Sequence, residues 1–101
     1  MLRTKTIENK IVGVIENTDR LNATIAQDIK EELTDALIEG GYNLTLDLSN
    51  IRFIDSTGIG VLISALKTSR QNEGSFILKS VQKDVMSLLT LMKLDKVFDF
   101  V

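Results

Sequence analysis

The sequence predicts an α/β protein: a short, mostly parallel β-sheet, an antiparallel strand at its N-terminal edge, and helices covering mainly one face. Three observations predict it. Strand-like and helix-like periodicities alternate along the chain, the pattern that joins parallel strands through crossover helices. Two strand-like segments come first with only a turn between them, which makes one antiparallel pair. The strands are short and only half-apolar, as strands with one covered face are. The 101 residues suit one domain, residues 1–101, around one core.

The elements follow in order. Leu2 to Glu8 alternates weakly and reads as an edge strand, and Asn9–Lys10 turns the chain into a better strand, Ile11 to Glu16. In "TIAQDIKEELTDALIEGG" the residues Ile25, Ile29, Leu33 and Leu37 recur at intervals of four, one face of a helix. Thr24 with Gln27 fits a capping box, Asn22 competes as N-cap, and Gly40–Gly41 supply the stop. "NLTLDLS" sets Leu44, Leu46 and Leu48 on one face of an internal strand. "NIRFID" then leads to a corner, and Ile59, Leu62, Ile63 and Leu66 take up helical spacing behind it. Asn72 to Gly74 ends that helix, and "SFILKS" is the next strand. Ser80 is placed to cap a third helix carrying Val81, Val85, Leu88, Leu89 and Met92. "KVFDFV" makes a last short strand or an irregular end.

Composition removes whole classes of function. Apolar residues are 44% and charged residues 26%, ordinary for a soluble globular protein. Without cysteine there are no disulfides, thiolate metal sites or thiol chemistry. Without histidine, the commonest general base and metal ligand is missing, and with it every Ser–His arrangement. A net charge of −2 with scattered Lys and Arg argues against a nucleic-acid face. The opening "MLRTKTIENK" has no apolar signal region, and the longest apolar run, "IGVLISAL", is too short for a bilayer. The expectation is a cytoplasmic protein, monomeric or weakly dimeric, with no membrane insertion.

The corner "FIDSTGIGVL", Phe53 to Leu62, concentrates the remaining chemistry. Helix N-termini carry unpaired amides and partial positive charge, so Asp55 or Ser56 serves there as an N-cap, and that reading alone accounts for an oxygen-bearing side chain. Gly58 and Gly60 fall in the first turns, where glycine weakens a helix by about 0.5–1 kcal/mol each. Such a cost marks close approach, either by the protein's own backbone or by a partner. A nucleophile elbow needs Gly two residues before the serine, where Ile54 stands, and a base. No phosphate-binding loop occurs, and "GIG" is only part of a dinucleotide fingerprint, so no cofactor is expected. Asp47 and Asp55 form a weak metal pair, equally read as strand-end carboxylates bonded to nearby amides. A phosphoacceptor role for Ser56 stays open, since a helix N-terminus accommodates the added anion.

"LDLSNIRFIDSTGIGVLISAL", Leu46 to Leu66, resembles the central motif of STAS domains, and within them bacterial anti-sigma-factor antagonists. "QNEGSFILKS" and "LMKLDKVF" extend the resemblance over most of the chain. The resemblance implies a sheet with helices, a partner-switching role without a catalytic centre, and phosphorylation of Ser56 by a kinase-like anti-sigma factor, reversed by a phosphatase. It implies a partner surface of Asp19, Asn22, Asp55, Ser56, Thr57, Gly58, Ile59 and Gly60. Family members often carry Gly-x-Leu-Asp before the first helix; here that stretch is "DRLN", Asp19 to Asn22, and in the family this loop lies near the phosphorylatable serine. Asn22 keeps an acceptor oxygen without the carboxylate. Two further readings stand beside the switch: a constitutive accessory subunit of a lipid-transport ATPase or signalling scaffold, and a nucleotide binder or weak hydrolase, which no phosphate loop supports.

Overall fold

A computed structural model describes residues 1–101 throughout. Strands β1 (Leu2–Ile7) and β2 (Lys10–Ile15) form the predicted antiparallel hairpin. The turn sits one residue earlier than expected, on Glu8 and Asn9, both in the left-handed region (φ 52° and 67°). A two-residue hairpin loop with positive φ at both positions matches the strand twist. Next come β3 (Arg20–Leu21), α1 (Ala26–Glu39), β4 (Asn43–Asp47), β5 (Phe53–Ile54) and α2 (Ser56–Gln71). The chain ends with β6 (Ser75–Lys79), α3 (Lys83–Leu91) and β7 (Asp99–Phe100).

The main sheet has five strands in the order β1-β2-β4-β6-β7, all parallel except β1 against β2. Its outer strands are β1 and β7. Register follows the alternation of side chains: Ile11 pairs with Leu44 and Leu44 with Phe76, while Gly13 pairs with Leu46 and Leu46 with Leu78. That row set faces inward and is buried, whereas Val12, Val14, Thr45, Asp47 and Ile77 face the other way and are half-exposed. The helices therefore cover one face, as predicted. Ile29, Leu33 and Leu37 of α1 and Ile59, Leu62 and Leu66 of α2 close the core over it. Full burial of each such side chain contributes about 1.5–3 kcal/mol. No helix is long and apolar enough to cross a membrane.

Several caps differ from expectation. The Thr24–Gln27 capping box does not form: α1 starts at Ala26 with Ile25 as its N-cap and no side-chain bond. The Gln27 amide reaches forward to Glu31 instead (3.1 Å). Ser80 does not cap α3; it lies in the left-handed region (φ 56°), and Gln82 is the N-cap. The Gln82 amide donates to the Ser49 carbonyl (2.6 Å), tying α3 to the loop after β4. Of the apolar residues expected to anchor α3, Val85 and Leu89 are buried, while Leu88 is only half-buried and Met92 is exposed. The end of the chain is a two-residue parallel strand, β7, beside β6.

Candidate functional site

The corner at Phe53–Gly60 is built by a second, two-stranded ladder. Arg20 and Leu21 of β3 pair in parallel with Phe53 and Ile54 of β5. The Asp19 carbonyl accepts from the amides of Arg52 (2.8 Å) and Phe53 (3.1 Å), and the Leu21 carbonyl accepts from Asp55 (3.3 Å). This places "DRLN" directly against the corner. Buried Leu21 and Ile51 pin the ladder to the core.

Asp55 is the N-cap of α2, in extended backbone (φ −108°, ψ −178°). Of the two capping candidates in the sequence, the structure selects Asp55 and not Ser56. One carboxylate oxygen, Oδ1, accepts from the Gly58 amide (2.8 Å), and Oδ2 accepts from the Ala23 amide (3.1 Å). A single side chain thus joins the start of α2 to the loop before α1. With both oxygens accepting from backbone N–H groups, Asp55 clamps the two segments together. Asp47 behaves similarly at its own strand end, accepting from the Ser49 amide (2.8 Å). Both carboxylates of the weak metal pair thus accept from backbone amides, Asp47 at its own strand end and Asp55 from two separate segments, and no three acidic side chains converge on one point.

Ser56 and Thr57 are the first residues of α2, and both are exposed. The two glycines separate sharply. A Cβ on Gly58 would overlap the Leu21 carbonyl, so Gly58 is required by the chain's own packing. Gly60 is exposed, with nothing within 4 Å of where a Cβ would stand. Ile59 is a correction: it is 2% exposed and belongs to the core, so its side chain offers nothing to a docked partner. Asp19 is exposed and Asn22 half-buried. The Asn22 side-chain oxygen accepts from the Thr24 amide (3.1 Å), which shapes the β3–α1 loop and leaves the helix itself uncapped. The corner thus brings together Asp19, Asn22, Asp55, Ser56, Thr57 and Gly58; Gly60 lies one turn further along the exposed side of α2.

Sequence reasoning missed Arg20 and Phe53. Their residues are in register, and the guanidinium lies 4.9 Å from the Phe53 ring centroid. Arg20 also approaches Asp19 (3.5 Å). The signal was the pairing of "RL" with "FI", which two-residue strands do not reveal by alternation.

The STAS domain family model matches residues 3–101. The chain is 28% identical over 79 residues to the anti-sigma-B factor antagonist of Listeria monocytogenes, covering 78% of this chain and 69% of that protein. It is 33% identical over 92 residues to a Thermotoga maritima protein carried under a provisional name as an anti-sigma factor antagonist, covering 90% of this chain and 80% of that one. A STAS domain protein from Planctomyces limnophilus superposes with a TM-score of 0.88 over 98% of this chain and 87% of its own, at 22% identity, a likeness of fold. With the family model matching residues 3–101, this chain belongs to the STAS domain family.

Proposed function

We propose that this chain is an anti-sigma-factor antagonist that works by binding and not by catalysis. In the unmodified state the Ser56 corner docks on an anti-sigma factor in the cytoplasm, and the sigma factor is released. A serine kinase, the anti-sigma factor itself or a partner of it, transfers phosphate to Ser56 and ends the interaction; a phosphatase restores it. The observation that carries this reading is exposed Ser56, presented by a corner that Asp55 fixes from the residue before it.

The physics of the switch follows from that placement. Phosphorylation takes the net charge from −2 to about −4 and adds three strong acceptor oxygens. The first turn of α2 accommodates the anion, so the fold survives. A fitted interface does not, because an unpaired charge buried there costs about 3–5 kcal/mol, a hundredfold or more in affinity. Relatives named as antagonists favour this reading over a constitutive subunit.

The test is incubation with an anti-sigma kinase from the source genome and ATP, followed by site-resolved mass spectrometry and calorimetry. Phosphate should appear on Ser56. Ser56→Asp should lose binding while Ser56→Ala keeps it. Phosphate mainly on Thr57, or equal affinity of the two variants, would overturn the switch.

A further inference from the structure

Phe53 is one of five aromatic residues, and it alone is exposed, at 53%. It is nevertheless held in place: its amide is bonded to Asp19, and Arg20 lies against its ring. Beside it runs a cleft of about 180 Å³ between β5 and α3. Ile54, Val85 and Leu88 make its apolar wall, and Arg52 and Asp84 stand at its edges. Arg20 is within ion-pair distance of Asp19, whereas Arg52 and Asp84 have no ion-pair partner in the chain. The volume suits one side chain; small-molecule pockets are larger, about 300–1,000 Å³. Arg52, Phe53 and Ile54 in its lining are the three residues that lead into Asp55, so the cleft adjoins the Ser56 corner along the chain.

We propose that this cleft receives an apolar side chain of the anti-sigma factor, with an acidic residue of that partner meeting Arg52 and a basic one meeting Asp84. Resting on the antagonist reading, it adds a second anchor that selects the partner, apart from the serine that times the interaction. Aromatic and arginine side chains at rigid positions dominate interface energetics, because little ordering remains to be done on binding. In the folded corner Arg20 already lies against the Phe53 ring before any partner arrives. Their exposure means that the fold does not depend on them.

The anti-sigma factors encoded by the source genome are purified and titrated calorimetrically with the full chain. Against the factor that binds, Phe53→Ala should raise Kd about 10- to 100-fold, as loss of an interface anchor does. Arg52→Glu should weaken binding too, and Phe53→Tyr should restore most of it. All three should melt like the parent. If Phe53→Ala and Arg52→Glu bind like the parent while Ser56→Asp does not, docking at the corner stands and the cleft proposal fails. If no anti-sigma factor binds the parent chain, the antagonist reading fails and takes the cleft's occupant with it. If sedimentation finds a parent dimer that Phe53→Ala separates, the cleft holds a second copy, and the proposal is overturned.

Discussion

Asp55 and Ser56 are neighbours with different work, and the difference is measurable. Asp55 satisfies two backbone donors on two segments, at Gly58 and Ala23. Removing it loses an N-cap, about 0.5–2 kcal/mol, and leaves the Ala23 amide without its acceptor. Asp55→Ala should therefore destabilise by about 2 kcal/mol in urea unfolding, with Ser56→Ala within about 0.5 kcal/mol of the parent. Equal losses at the two positions would contradict the capping assignment. The glycines give a second pair. Gly58→Ala drives a methyl into the Leu21 carbonyl and should cost about 1–3 kcal/mol. Gly60→Ala has open space and should stabilise by about 0.5–1 kcal/mol while weakening partner binding. A Gly60→Ala variant that binds as tightly as the parent would place the partner away from that turn of α2.

At the scale of elements, the corner depends on a ladder only two residues long on each strand. A unit that small opens without disturbing the central strands. In native-state hydrogen exchange the amides of Phe53 and Asp55 should exchange well before those of Leu44 and Leu46 in β4. Asp55→Ala should accelerate the first pair and leave the second unchanged. If all four exchange together, the ladder is part of the global unfolding unit. The same smallness decided what could be read in the sequence. The helical face of α1 was visible because Ile29, Leu33 and Leu37 repeat over three turns, and β4 because Leu44 and Leu46 alternate. The motif around Ser56 was visible because its residues are contiguous. The β3–β5 pairing was not, since "RL" and "FI" are too short to show a period and lie 33 residues apart in register. The caps differ for another reason: Thr24 and Ser80 have the right chemistry, but long-range bonds hold the chain ahead of each helix, Ala23 to Asp55 before α1 and Gln82 to Ser49 before α3.

For the whole molecule, a phosphate on Ser56 would stand on the exposed first turn of α2 and outside the core, so modification should leave the global stability nearly unchanged. Ser56→Asp should unfold within about 1 kcal/mol of the parent, because aspartate suits the first turn of a helix. A larger loss would mean that the serine is part of the scaffold. The outer strands carry a separate consequence. An unpaired strand edge is a template for joining other chains, and proteins blunt it with charge or brevity. Here β7 spans two residues, and β1 presents Arg3 and Lys5, both exposed. On the proposed reading the chain waits free in solution for its signal, and short, charged edges would hinder a concentrated pool from self-assembling into fibres. Replacing Arg3 and Lys5 together by valine should produce light scattering on concentration while circular dichroism of the dilute protein stays native. Were the double variant to stay as dispersed as the parent, brevity of the strands alone would be the safeguard against runaway assembly.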